Sequence, residues 1–115
     1  MQKNLEQIRA AAALEAAKSL SRSAVNKLPA LILQNGLLAA AAFCEAEGDG
    51  ENRKGMKGAL DATATHLAER GQINGNCNTV KGMIDDLTKG DSHSLQRATA
   101  EALAFIAYLK RFAPK

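Results

Sequence analysis

Hydrophobic side chains recur every three to four residues along most of the chain, and this spacing predicts helices. The expected helices cover residues 4–20, 26–43, 56–70, 79–89 and 92–112, with turn-forming or charged segments between them. The 23 alanines and the few aromatic residues also favour helix over strand. We therefore predict an all-α fold, in which residues 1–115 form one compact domain of about five helices around a central apolar helix.

The central helix is the apolar stretch at residues 26–43. Residues 28–44 carry no charge, and their hydrophobic side chains surround the helix axis, so other helices or lipid must enclose them. Because Gln34-Asn35-Gly36 interrupts the stretch and a membrane span needs roughly 20 apolar residues, we expect a soluble bundle. Gly36 within a helix costs up to about 1 kcal/mol relative to alanine. Close backbone contact with another helix, or a local break after Asn35, would explain it.

Capping residues and hydrophobic stripes orient the other helices. Asn4 with Gln7 forms a capping-box pattern at the first helix, and Asp91 or Ser92 can cap the last. The side chains expected to point inward, in chain order, are Leu5, Ile8, Ala12, Ala16, Met56, Leu60, Ala64, Leu67, Val80, Ile84, Leu87, Leu95, Ala98, Ala102, Phe105, Ile106, Leu109 and Phe112.

A second stripe on the last helix suggests a binding surface. Its members follow a 4–3–4–3–4 spacing: Arg97, Glu101, Ala104, Tyr108, Arg111 and Lys115. Cations beside an aromatic ring can bind single-stranded nucleic acid, through charge for the phosphates and the ring for stacking. The alternative interpretation is a solvated face with a half-buried tyrosine.

The net charge of +3 is unevenly distributed. Residues 1–28 and residues 92–115 each carry +3, whereas residues 45–91 carry −3. This separation can present a basic face to phosphate and an acidic face to a neighbouring protein. Ordinary solvated surface is the alternative.

The sequence contains no recognisable catalytic or metal-binding constellation. His66 has no carboxylate, cysteine or serine at a spacing that would make it a ligand or base, and we expect it to be structural or solvent-facing. Residues 45–55 are expected to form a mobile, charged loop that binds no metal. Cys44 is expected in the core and Cys77 in a polar loop, a usage that fits a reducing cytoplasm. We predict a non-enzymatic protein with no cofactor, no metal, no small-molecule substrate and no membrane contact.

Three blocks of sequence resemble a known family. The first block comprises Lys27-Leu28-Pro29, Ile32, Asn35-Gly36-Leu37 and Ala42-Phe43. The second block comprises Glu101 to Phe105 and Tyr108 to Ala113. The third block comprises Leu5-Glu6-Gln7 and Arg9-Ala10. Together they cover about 40 of the 115 residues. The ordered set is similar to the small all-helical subunit of the type III-B CRISPR effector, the Cmr complex. The family often has Trp where this chain has Tyr108, and residues 45–91 match none of its patterns.

The resemblance implies a non-catalytic structural subunit in antiviral defence. Copies of the chain would stack along the complex beside the other Cmr subunits and contact the backbone of guide and target RNA without reading bases. The candidate RNA-binding residues are Lys18, Arg22, Lys27, Arg97, Tyr108, Lys110, Arg111 and Lys115.

Two other functions remain open. One is a helical protein-interaction module, for example a dimer, with no nucleic-acid role and with Leu14, Leu103 and Ala107 at its interface. The other is the equivalent small subunit of a related type III complex, with the same role and different partners.

Overall fold

The computed structural model describes residues 4–46, 51–76 and 78–114. Within these residues the chain forms helices and no strand, which confirms the all-α prediction. In chain order the helices are α1 (Leu5–Ala17), α2 (Arg22–Val25), α3 (Leu28–Asn35), α4 (Leu37–Glu45), α5 (Glu51–Glu69), α6 (Val80–Lys89) and α7 (Ser92–Phe112). They pack around one hydrophobic core, and the radius of gyration of 13.0 Å is that of a compact domain of this length.

The helix ends follow the predicted capping chemistry. Asn4 and Gln7 exchange side-chain to backbone hydrogen bonds of 2.8 and 2.9 Å, so the capping box is present. At the start of α7, the carboxylate of Asp91 accepts a hydrogen bond from the backbone N–H of Ser94 at 2.8 Å. This hydrogen bond lowers the pKa of Asp91 below its ordinary value. Both caps depend only on residues three positions apart, which is why the sequence predicts them well.

The central apolar stretch is two helices, because the chain breaks at Gly36. Gly36 has φ 90° and ψ 159°, a conformation almost restricted to glycine. Its N–H closes α3 on the carbonyl of Ile32 at 2.7 Å, and its own carbonyl accepts from Ala40 in α4 at 3.0 Å. The local break, one of the two explanations that the sequence left open, is therefore the one observed.

The break also leaves part of the stretch in solvent. Leu28, Ile32, Leu37, Ala40 and Cys44 are buried. Leu33 is 73 % exposed and Phe43 is 42 % exposed, so the prediction that the stretch is enclosed on every side is wrong. The break at Gly36 separates two short helices, and each of them buries only part of its surface.

Helix α1 presents a different face from the predicted one. Ala13 and Ala17 are buried, whereas Leu5 is exposed and Ala12 is half-buried. Arg9 continues the buried stripe at four-residue spacing and reaches Glu101 of α7. The buried stripe of α1 is therefore shifted by one residue from the stripe that hydrophobicity alone predicts, and the ion pair lies on the shifted stripe.

Helix α5 begins earlier than predicted. It starts at Glu51, so the prediction of a loop over residues 45–55 is wrong for its second half, while residues 47–50 lie outside the described part. Gly55 lies within this helix where it meets α2. A Cβ at this position would lie 2.6 Å from the Cβ of Ala24 in α2. Glycine permits this close approach of the two helices.

The inward faces of the later helices are largely confirmed. Each predicted core residue of α5 is buried. In α6, Met83 is buried in place of Ile84, and Asp61 of α5 accepts a hydrogen bond from the N–H of Val80 at 2.9 Å. In α7, five of the seven predicted residues are buried, whereas Leu95 is half-buried and Phe112 is 39 % exposed. Helix α7 contacts α1, α2, α3 and α5, and helix α5 contacts α1, α2, α4, α6 and α7, so these two helices connect the bundle.

Candidate functional site

The N-terminal segment lies beside α7 and runs parallel to it. Arg9 pairs with Glu101, and Arg22 bonds to the end of α7 near Ala113. From the sequence, the basic residues of the first two helices could join those of the last only if these helices were neighbours, and the structure meets that condition.

Arg22 ties the start of α2 to the end of α7. Its Nε donates to the carbonyl of Ala113 at 3.0 Å, and its Nη2 donates to the carbonyl of Arg111 at 3.1 Å. Its backbone N–H donates to the carbonyl of Pro114 at 3.1 Å. A cation is favourable at a helix C-terminus, where carbonyls lack helical partners. Arg22 is therefore used inside the chain as an anchor, and its predicted contact with RNA stays a prediction.

The other candidate RNA-binding residues occupy different surroundings. Lys18 is exposed and pairs with Glu15 at 3.0 Å. Lys27, Arg97, Lys110 and Arg111 are exposed. Tyr108 is half-buried and stacks on Phe112 with ring centroids 6.2 Å apart. Lys115 and the predicted loop thiol, Cys77, lie outside the described residues.

The predicted stripe on α7 does not form one exposed surface. Glu101 is only 7 % exposed and faces α1 and α5, so its assignment to the outer stripe is wrong. At about 100° per residue the stripe spreads over an arc of about 80°, with Glu101 and Arg111 at its two edges. Glu101 and Tyr108 lie towards the buried side, whereas Arg97 and Arg111 lie further out and are exposed.

Glu101 joins three helices through a network that the sequence patterns did not predict. Its Oε1 accepts from Arg9 Nη2 and its Oε2 from Arg9 Nε, both at 2.8 Å. Oε2 also lies 2.8 Å from His66 Nε2 of α5, which donates to the carboxylate. A two-bond arginine–carboxylate pair is strong and directional. The network therefore fixes the register of α1 and α5 against α7.

His66 is packed as a core side chain. It is 2 % exposed, and its ring stacks on Phe105 with centroids 4.4 Å apart and planes 11° from parallel. Its buried Nδ1 has no hydrogen-bond partner among the described residues. Of the two expectations for His66, structural or solvent-facing, the structural one is confirmed. Its carboxylate partner, Glu101, lies 35 residues later, beyond any short sequence spacing.

The network lowers the pKa of Glu101 below its ordinary value of 4.5. The hydrogen bonds from Arg9 are the main cause, burial opposes them, and the hydrogen bond from His66 adds to them. A carboxyl group whose pKa is lowered on folding stabilises the fold above its unfolded pKa. That stabilisation is lost as the pH falls through the folded pKa.

We therefore expect the difference in unfolding free energy between wild type and Glu101→Gln to depend on pH. The difference should stay constant from neutral pH down to about 4.5, the ordinary pKa of the group, and then shrink in more acidic solution. Urea denaturation followed by circular dichroism at a series of pH values measures it. A difference that persists undiminished in strong acid would contradict the role assigned to the Glu101 carboxylate.

A groove runs between α3 and α7. One part is lined by Arg22, Asn26, Pro29, Leu33, Leu103, Ala107, Lys110 and Arg111. A second part, which shares Leu103, is lined by residues 35–39 with Leu95, Gln96, Thr99 and Ala100. The two cavities measure about 720 and 490 Å³. Of the predicted protein-interface residues, Leu103 and Ala107 lie in this groove, whereas Leu14 is 53 % exposed on α1.

Metal ligands and membrane spans are not found in the described part of the chain. Among the described residues, no group of three or more His, Cys, Asp or Glu side chains is arranged to hold a metal ion. None of the described helices combines the length and the apolar character needed to cross a membrane.

Comparison with known proteins decides the family. The whole chain, residues 1–115, matches the model of a family described as CRISPR-associated protein (Cas_Cmr5). The chain belongs to this family. Cmr5 proteins are small subunits of the type III-B Cmr complex, so the resemblance given by the three sequence blocks is confirmed. The comparisons with curated proteins and with solved structures each found no match.

Membership of the Cmr5 family has a direct consequence for the interpretation of the surface. The chain is a CRISPR-associated Cmr subunit and associates with other effector subunits. Its surface must therefore contain at least one protein interface.

Proposed function

We propose that the chain is a non-catalytic structural subunit of a cytoplasmic type III-B Cmr ribonucleoprotein, where it stacks with further copies of itself and with the other subunits. In this role it contacts the backbone of guide and target RNA without sequence specificity, while other subunits cut. Family membership over the whole chain supports the assignment. A rigid helical body with a basic outer surface is what such a role requires.

The exposed side of α7 supports the RNA contact. Arg97 and Arg111 are both exposed and lie on the same side of the helix, about 21 Å apart along its axis. Small residues, Ala100 and Ala104, separate them. Two cations on a straight, otherwise uncharged face suit phosphates of one RNA strand, and neither needs to recognise a base. Lys27 is exposed just after α2, whose Arg22 is bonded to the end of α7, and we propose that it extends this face.

Charge reversal at Arg111 tests the RNA contact. We expect Arg111→Glu in the assembled complex to weaken RNA binding by roughly tenfold for every RNA sequence tested. The slope of log affinity against log salt should also fall by about 0.7 for each phosphate that the chain no longer neutralises. Filter binding or fluorescence anisotropy with two unrelated RNAs at several salt concentrations measures both quantities.

Lys81→Glu is the matched control, because Lys81 is exposed on α6, which packs on α4 and α5. It should leave affinity and salt slope close to those of the wild type. Unchanged binding by Arg111→Glu, or an effect confined to one RNA sequence, would remove Arg111 from the proposed surface.

A further inference from the structure

Arg22 is fixed in place by the short helix to which it belongs. It is the first residue of α2, and its carbonyl accepts a hydrogen bond from the backbone N–H of Asn26 at 2.9 Å. Ala24 and Val25 of the same helix are buried, and Ala24 approaches Gly55 of α5 so closely that glycine is needed there. Close packing of this kind holds the backbone of α2 in one position. The side chain of Arg22 therefore extends from a rigid part of the bundle.

The guanidinium of Arg22 closes the C-terminal end of α7. Carbonyls at this end of a helix lack intrahelical partners. Those of Arg111 and Ala113 accept hydrogen bonds from Nη2 and Nε of Arg22 at 3.1 and 3.0 Å. Nε and Nη2 lie on one edge of the planar guanidinium, so a single orientation of the side chain makes both bonds. The backbone N–H of Arg22 adds a third bond, to the carbonyl of Pro114 at 3.1 Å.

The cations of this last turn are available to an anion. Lys110 and Arg111 are exposed, and neither forms an ion pair within the part of the chain that the structure describes. Both line one cavity together with Arg22, and the described lining of this cavity includes no carboxylate. Three cations around one cavity repel each other, and a phosphate among them relieves that repulsion. The charges at this end of α7 therefore suit the RNA backbone.

The position of Arg111 depends on whether the last turn of α7 stays closed. Arg111 is the second-last residue of the helix. The ends of a helix open more readily than its middle. A side chain on an open turn must be ordered when it binds a ligand, and the entropy lost in that ordering weakens binding. Bonds that order the turn beforehand strengthen binding without touching the ligand.

We propose that Arg22 is a positioning residue for the RNA contact, because it holds the last turn of α7 closed and thereby orders Arg111 before RNA binds. The inference rests on the proposed function, since it needs Arg111 to contact RNA. It gives Arg22 a role different from the direct contact with phosphate that the sequence suggests. The two roles differ in what the charge of Arg22 contributes, and this difference can be measured.

Arg22→Lys and Arg22→Gln in the assembled complex separate the two roles. Lysine keeps the charge but cannot present two parallel N–H groups, so we expect both variants to lose RNA affinity alike, by roughly threefold. The slope of log affinity against log salt should stay that of the wild type, because the same number of phosphates is neutralised. If lysine kept the wild-type affinity while glutamine lowered the slope by about 0.7, Arg22 would contact phosphate directly and the proposal would be wrong.

Arg9→Lys is the matched control for a general loss of stability. Arg9 also makes a two-bond contact with α7, at Glu101 in the middle of the helix. Its replacement should lower the unfolding temperature of the chain and leave RNA affinity unchanged. Equal losses of RNA affinity for Arg9→Lys and Arg22→Lys would overturn the proposal, because destabilisation of the bundle would then explain both.

Combining Arg22→Gln with Arg111→Glu tests whether Arg22 acts through Arg111. The double variant should bind RNA no more weakly than Arg111→Glu alone. A further loss in the double variant contradicts the positioning role. If Arg111→Glu alone leaves binding unchanged, the RNA contact at Arg111 fails and the inference fails with it. If Arg111→Glu weakens binding and neither Arg22 variant does, the inference alone fails.

Hydrogen exchange of the full chain without RNA measures the closure of the turn directly. The backbone N–H of Ala113 donates to the carbonyl of Leu109 at 2.9 Å. We expect this N–H to exchange faster in Arg22→Gln than in the wild type, while N–H groups in the middle of α7 keep their rates. Unchanged exchange at Ala113 would show that Arg22 does not hold the turn closed.

Discussion

Replacing Glu101 with alanine is expected to lower the free energy of unfolding by about 3 kcal/mol. The substitution leaves the guanidinium of Arg9 and the buried ring of His66 without the oxygens that accept their hydrogen bonds. Removing one partner from a buried ion pair costs more than the pair itself contributes, because the remaining charge stays in a poorly solvated place. The side chain of Arg9 is 25 % exposed, which puts the cost at the lower end of the usual range. Urea denaturation at neutral pH measures it.

Glu15→Ala is the matched control, because Glu15 also forms an ion pair with a basic side chain. The Lys18–Glu15 pair is exposed, with side-chain exposures of 68 % and 80 %. Exposed pairs contribute at most about 1 kcal/mol, so Glu15→Ala should be nearly neutral. Similar losses for the two variants would show that the Arg9–Glu101–His66 network contributes no more than a surface pair.

Local features of the fold could be predicted from the sequence because their causes are local. The Asn4–Gln7 box and the Asp91 cap need only residues three apart. For Gly36, the sequence left two explanations open, because a glycine within an apolar stretch can allow either close packing or an unusual φ angle. Only the three-dimensional arrangement decides between them.

The polar network could not be predicted by the same means. Glu101 lies 92 residues from Arg9 and 35 from His66, and no short-range pattern links them. One signal was available. Glu101 is adjacent on the helix to Ala98, Ala102 and Phe105, which form the inward face, so a charge there needs a partner within the fold. The 4–3–4–3–4 spacing placed Glu101 in the same stripe as Arg97 and Arg111, so Glu101 was predicted to face outward.

The residues that line the groove were predicted from the sequence as parts of different surfaces. Leu103 and Ala107 came from the protein-interaction hypothesis, and Lys110 came from the RNA hypothesis, yet all three line one groove. Leu33 was assigned to an enclosed helix, and its exposure appears only once the chain bends at Gly36. A helical wheel drawn through residues 26–43 assumes one continuous helix, so it cannot show which apolar side chains of α3 and α4 face solvent.

Replacing Phe105 with alanine is expected to lower the free energy of unfolding by about 4 kcal/mol. Phe105 is 1 % exposed and is among the largest fully buried side chains described. Its removal creates a cavity in the core and takes away the surface on which His66 stacks. His66 would then lose the packing that holds its Nε2 towards Glu101, so the hydrogen-bond network should loosen as well. Urea denaturation measures the total loss, and hydrogen exchange in α5 reports the loosening.

Phe112→Ala separates the effect of burial from that of losing an aromatic ring. Phe112 lies two turns further along α7, is 39 % exposed and stacks only loosely on Tyr108, so its loss should cost about 1 kcal/mol.

A double-mutant cycle between Phe105→Ala and Glu101→Ala tests whether the two sites act through His66. We expect the double variant to lose less unfolding free energy than the sum of the two single losses, because each single substitution already removes a contact that positions His66. Additive losses would mean that the stacking of Phe105 and the ion pair of Glu101 stabilise the bundle independently.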